Sequence, residues 1–118
     1  MRERSRPGVA TVRKVRTAGS RWVVRVVRGR SMQPTLRDGD RLLVQRDART
    51  RIGALIVVRL PGGRPEAVKR VVHRQAGGWW VERDNPAEGV DSWLVGAIAD
   101  DDVLGVVRGR LWPRPRRL

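Results

Sequence analysis

Ser31 and Lys69 are the two residues of this chain whose types and spacing could do chemistry together. Ser31 opens the segment Ser31-Met32-Gln33-Pro34-Thr35-Leu36, and Lys69 follows 38 residues later in the apolar stretch Ala67-Val68-Lys69-Arg70-Val71-Val72. Lys69 is one of only two lysines among 26 basic residues, so arginine does nearly every other basic job. A buried lysine can lose its proton near neutral pH, which arginine cannot. A neutral Lys69 amine could then take the proton from the Ser31 hydroxyl, giving a Ser/Lys catalytic pair. His73, the only histidine, offers a rival Ser/His arrangement with Ser31, oriented by Asp84 or Asp91.

Each residue also has a plain structural reading. Ser31 could be a loop serine, and Lys69 could pack its stem along a strand while its amine reaches solvent. Strict strand alternation puts Ala67, Lys69, Val71 and His73 on one face and Val68, Arg70 and Val72 on the other. In that apolar company the Lys69 ammonium loses hydration, which pulls its pKa down. Ser31 stands between a β-branched run and a Pro-containing turn, a junction that should expose its hydroxyl and leave backbone N–H groups for a developing oxyanion.

Composition narrows the alternatives. A chain of 118 residues fits one domain with one compact core. The absence of cysteine excludes disulfides, thiolate zinc sites and thiol nucleophiles, and a single histidine argues against a transition-metal site, so neither metal nor cofactor is expected. Apolar runs such as Ala54-Leu55-Ile56-Val57-Val58 are far shorter than the ~20 residues a membrane-spanning helix needs, which points to a cytoplasmic protein. The net charge of +14 resides at the ends. Residues 1–30 hold ten basic against one acidic, 31–107 hold eleven against eleven, and 108–118 hold five against none. Basic flanks suit an anionic surface, whether membrane or polyanion, so the protein could sit at the membrane periphery. A nucleic-acid-binding module is the competing class. Against it stand the five aromatics, all tryptophan, and the lack of room for a helix-turn-helix before residue 21.

The elements that must position these residues read as strands. Short β-branched runs lie at 22–27, 41–45, 54–60, 66–72, 78–82 and 103–111, separated by Asp38-Gly39-Asp40, Pro61-Gly62-Gly63, Gly77-Gly78 and Asp84-Asn85-Pro86. No window keeps a helical period. The expectation is a mainly β, antiparallel domain, a small barrel or sandwich, over residues 21–112. A basic N-terminal arm over 1–20, flexible at least at its start, and a basic Pro-containing tail over 113–118 flank it.

Taken in order, Ser31-Met32-Gln33-Pro34-Thr35-Leu36, Gly39-Asp40 with Leu42-Leu43-Val44, Val68-Lys69-Arg70-Val71, and Asp84-Asn85 followed by Asp91-Ser92 and Gly96 resemble the boxes of type I signal peptidases. The likeness covers roughly residues 24–112. It implies a β-rich serine endopeptidase with Ser31 as nucleophile and Lys69 as general base. The Ser31 backbone N–H would serve the oxyanion hole, Gly29, Met32 and Pro34 would line the oxyanion and substrate region, and Asp84, Asn85, Asp91 and Ser92 would support the site. Self-cleaving LexA-type domains share the first and third boxes and are more distant cousins.

Three positions depart from the signal-peptidase pattern. Gly89 replaces a serine that usually bonds the lysine, Trp93 replaces the arginine after Asp-Ser, and Gly29 replaces an occasional second oxyanion hydroxyl. Lys69 must then be oriented by a main-chain carbonyl or by Ser92, and Asp91 by Arg70 or Arg83. The brevity, the Gly77-Gly78-Trp79-Trp80-Val81 strand, the Gly89 and Asp91-Ser92 combination and the basic end resemble the nickel-type superoxide dismutase maturation proteases. That resemblance implies a cytoplasmic processing enzyme whose partner is a precursor protein with its leader held as an extended strand. The alternatives are processing of exported precursors at the membrane surface and a LexA-like regulatory domain. Ser31→Ala and Lys69→Arg should each abolish cleavage and leave the fold intact.

Overall fold

The computed structural model describes residues 11–14 and 21–118. The strands are β1 (Thr11–Lys14), β2 (Trp22–Arg28), β3 (Arg41–Gln45), β4 (Leu55–Val58), β5 (Ala67–Gln75), β6 (Gly78–Glu82), β7 (Ile98–Ala99), β8 (Val103–Trp112) and β9 (Arg116–Arg117). A one-turn helix α1 (Ser92–Val95) precedes β7, and a 3-10 turn (Asp100–Asp102) follows it. Every strand pairing is antiparallel, in the order β1-β2-β3-β8-β4-β5-β6-β7 with β9 beside β8. The mainly β, antiparallel class expected from the β-branched runs is the class observed, a sheet curled into a half-barrel.

β4 explains how this small sheet holds two apolar clusters. All four of its residues are buried. Leu55 and Val57 point into a first cluster with Val23, Val27, Met32, Leu36, Leu42, Val44, Val68 and Val107. Ile56 and Val58 point the other way, into a second with Leu60, Ala67, Val71, Val81, Ile98 and Val106. An unbroken apolar run is what a strand covered on both faces requires. β5 shares the arrangement. Its Val68 joins the first cluster and its Ala67 and Val71 the second, so Lys69, paired with Ile56, lies on the second face.

Three differences from the sequence expectation bear on the site. Part of the basic arm is a strand: residues 11–14 form β1, which pairs with β2 and, at Thr11↔Ala67 alone, with β5. The remainder of the arm reading lies outside the described residues. The 113–118 segment turns back on the domain, with Arg116 and Arg117 paired to Arg110 and Gly109 and Leu118 packed on the first cluster. Finally, the alternation of β5 breaks. A register shift between Val71 and His73 takes the histidine out of the sequence of buried positions that Lys69 and Val71 occupy.

Candidate active site

β2 ends at Arg28, and the chain enters the turn that carries Ser31. Gly29 adopts φ +98 there, a left-handed value that side chains resist, and donates its N–H to Asp38 Oδ1 at 2.9 Å. That amide is therefore bonded within the turn. Met32 is fully buried, and its Sδ accepts a hydrogen bond from the Asp84 N–H at 3.3 Å, so the side chain anchors the turn to the core. Only its backbone is left to face a substrate. Pro34 is exposed beyond it.

Ser31 itself is 0% exposed, where the strand-to-turn junction suggested an open hydroxyl. The cover comes from residues 83–91, between β6 and α1. Gly89, at φ +103, passes so close that a Cβ added there would lie 2.5 Å from Ser31 Cβ and 3.2 Å from its Oγ. Several bonds hold the cover down. Asn85 donates from its backbone N–H to Ser31 O at 2.7 Å and from Nδ2 to Arg30 O at 2.9 Å. Arg30 grips Glu88 with two contacts, at 2.8 and 3.2 Å. Asp84 accepts from Thr35 Oγ1 at 2.7 Å and from Arg70 Nη2 at 2.6 Å, tying the cover to the serine turn and to β5 together. Burial pushes the Asp84 carboxyl up, but its hydrogen bonds from Arg70 and Thr35 prevail and hold it below the usual value.

Lys69 is also 0% exposed, and its Nζ has no hydrogen-bond partner, Ser31 and Ser92 included. Its pKa is lowered from the ordinary 10.5 to about 8. Loss of hydration on burial is the main cause; nearby Asp91 opposes it and nearby Arg83 adds to it. Ser92 was one group expected to orient the amine, but its Oγ accepts from the Val81 N–H at 2.8 Å. The buried Asp91 carboxylate accepts from Arg83 Nη1 at 3.0 Å and caps α1 by accepting from the Trp93 N–H at 3.1 Å. Of the two arginines expected for Asp91, Arg83 takes it, and Arg70 goes to Asp84.

The rival Ser/His arrangement is not assembled. His73 Nε2 contacts Gln75 Oε1 at 2.7 Å and its ring stacks on Trp80, while both candidate aspartates are held by arginines. Thr35, Arg30 and Glu88 were not foreseen from the sequence. Arg30 and Glu88 each precede a residue of the closest contact, Ser31 and Gly89, and that adjacency becomes a signal only once the contact is known. Among the described residues no group of three or more His, Cys, Asp or Glu could hold a metal ion, and no helix is long and apolar enough to cross a membrane.

What the arrangement offers is a hydroxyl and an amine without a hydrogen-bond partner, both withdrawn from water. The family model described as Peptidase S24-like matches residues 7–108, most of the chain. The chain belongs to the Peptidase S24-like family. Membership of the S24-like family supports a Ser/Lys protease-type function in general and agrees with the β fold. The family match spans β1 through most of β8, so it includes the serine turn, the lysine strand and the cover. Among curated proteins nothing matches this S24-like chain.

Proposed function

We propose that the chain is a serine endopeptidase of the cytoplasm in which Ser31 is the nucleophile and Lys69 the general base, and that it removes a leader from a precursor protein. The observation that carries this reading is the fully buried, unpartnered Lys69 amine with a pKa lowered to about 8. No structural partner accounts for that amine, and an exposed lysine would be protonated almost entirely at neutral pH. With a pKa near 8 about one amine in ten is neutral at pH 7, enough to act as a base.

In the forward step neutral Lys69 takes the Ser31 proton as Oγ attacks the scissile carbonyl, and backbone N–H groups of the serine turn receive the oxyanion. The lysine then gives its proton to the leaving amine, and water releases the acyl group with Lys69 again as base. Residues 83–91 must lift for a peptide to arrive, because Ser31 is covered. The substrate is held as an extended strand at a sheet edge. A nickel-type superoxide dismutase precursor is the first candidate, on the resemblance of the 77–92 region to the maturation proteases; the metal then belongs to the substrate.

The test is co-expression with leader-bearing precursors and mass spectrometry of the new N-terminus, with Ser31→Ala as control. Processing of the dismutase precursor that Ser31→Ala abolishes is the expected result. Processing of exported precursors alone moves the function to the membrane surface, where the basic ends of the chain would bind anionic lipid. The S24-like match favours one further reading, a LexA-type domain that cleaves its own chain. Ser31-dependent shortening of the protein alone would select it.

A further inference from the structure

β2 and β5 are the strands that lead to the two candidate catalytic residues. Arg28, the last residue of β2, precedes Ser31 by three positions, and Ala67, the first of β5, precedes Lys69 by two. Between these ends lies β1, paired with β2 from Thr11↔Arg28 to Lys14↔Arg25 and with β5 at the single pair Thr11↔Ala67. The strands β2-β3-β8-β4-β5 are joined without β1, so β1 bridges the two lips of the half-barrel and its departure breaks no other pairing. A peptide that brings a carbonyl to Ser31 needs main-chain partners, and the edges of β2 and β5 that β1 pairs with lie on the strands leading to Ser31 and Lys69.

We infer that residues 11–14 are an internal strap seated in the peptide-binding gap, and that an extended substrate enters by exchanging places with β1. This rests on the Ser31 and Lys69 protease reading. The strap has the features exchange requires. It is four residues long and meets β5 at one pair, so little pairing must be undone. Being part of the chain, it competes at an effective concentration in the millimolar range, which a weakly bound peptide cannot match and a well-fitting one can. Selectivity for good substrates follows from that competition.

The register supplies a lock. Val27 donates its N–H to Asp40 O and accepts at its C=O from the Gly39 N–H, both on the side away from β1. Val12 and Val27 therefore form a non-hydrogen-bonded pair, whose Cα atoms lie about 4.5 Å apart, within disulfide range. The chain has no cysteine, so Val12→Cys with Val27→Cys can form only one bridge. The full-length double variant is compared with itself, oxidised and reduced, for cleavage of an extended peptide that wild type cuts. Phosphonylation of Ser31 by a small phosphonyl fluoride, in which Ser31 Oγ displaces fluoride from phosphorus and Lys69 takes the hydroxyl proton, needs no strand gap and is followed in parallel.

Oxidation is expected to slow peptide cleavage at least tenfold while changing the reagent rate less than twofold, and reductant restores cleavage. In a second variant, Arg13→Pro removes an N–H from the neighbouring hydrogen-bonded pair with Val26 and is expected to speed peptide cleavage several-fold. Equal cleavage by the oxidised and reduced forms overturns the strap. So does slower cleavage by a natively folded Arg13→Pro, or a Ser31-dependent cut beside Thr11, which would make β1 a substrate. A wild-type Ser31 inert to the reagent overturns the protease reading and the strap with it, whereas an active enzyme indifferent to the lock overturns the strap alone.

Discussion

Replacing Lys69 with methionine should make the protein more stable while ending its activity. A folded-state pKa of about 8 against an ordinary 10.5 means that the site, burial first, Asp91 against it and Arg83 with it, disfavours the charged amine. At 1.36 kcal/mol per unit, the cost to folding is about 3 kcal/mol at any pH below 8. Between pH 8 and 10.5 the unfolded chain still binds the proton that the folded chain has released, so wild-type stability climbs with pH across that window. Methionine fills a similar volume and carries no charge, so Lys69→Met should gain about 3 kcal/mol at pH 6. In a chain of this length that is on the order of 10 °C in Tm. The gain should shrink from pH 8 to 10.5. Urea titrations of both proteins at pH 6, 8 and 10 measure it. A variant no more stable than wild type at pH 6, or a gain that ignores pH, would refute the idea that the amine is held dry and unpaired. Full burial also revises the Lys69→Arg expectation: a guanidinium cannot shed its charge there, so that variant should be unstable as well as inactive.

Other consequences follow from the same geometry. The cleavage rate at subsaturating substrate should rise about tenfold per pH unit below 8 and level off above it, since only neutral Lys69 acts as base; a flat profile from pH 6 to 9 would contradict this. Gly89→Ser restores the residue common in signal peptidases, yet its Cβ would press on Ser31 at a positive φ, so it should lose roughly 2 kcal/mol and most activity, read by denaturation midpoint and peptide cleavage. Glu88→Gln removes the charged grip of Arg30 on the cover; an ion pair this exposed is worth roughly 1 kcal/mol or less, so labelling of Ser31 by a small reagent should quicken by up to about fivefold.

How much of this could be read in advance varied by element. The runs 41–45 and 78–82 coincide with β3 and β6, because short runs of consecutive apolar residues between turn signals leave little freedom. β1 was illegible for the opposite reason. Its arginine-rich segment has weak patterning, and its strand state is conferred by the open edges of β2 and β5. α1 was missed because one turn offers no helical period, and its Asp91 cap is recognisable only in three dimensions. The burial of Lys69 was foreshadowed by Ala67, Val68 and Val71. The burial of Ser31 was not, since its cover arrives from a glycine 58 positions away. The bond sought from Ser92 to Lys69 is not made; the Ser92 Oγ accepts from the Val81 N–H instead.

Met32 turns the cover into something that can be timed. Its sulfur is fully buried and bonded to the Asp84 amide, so raising residues 83–91, the excursion that would uncover Ser31, would also expose it to peroxide. The only other methionine is Met1, and there is no cysteine to compete for oxidant. The rate at which Met32 becomes a sulfoxide therefore counts openings of the site in the absence of any substrate. The added oxygen also needs room in a fully buried site, which works against the cover settling back. Oxidative damage to this protein would be recorded first as a site that no longer closes.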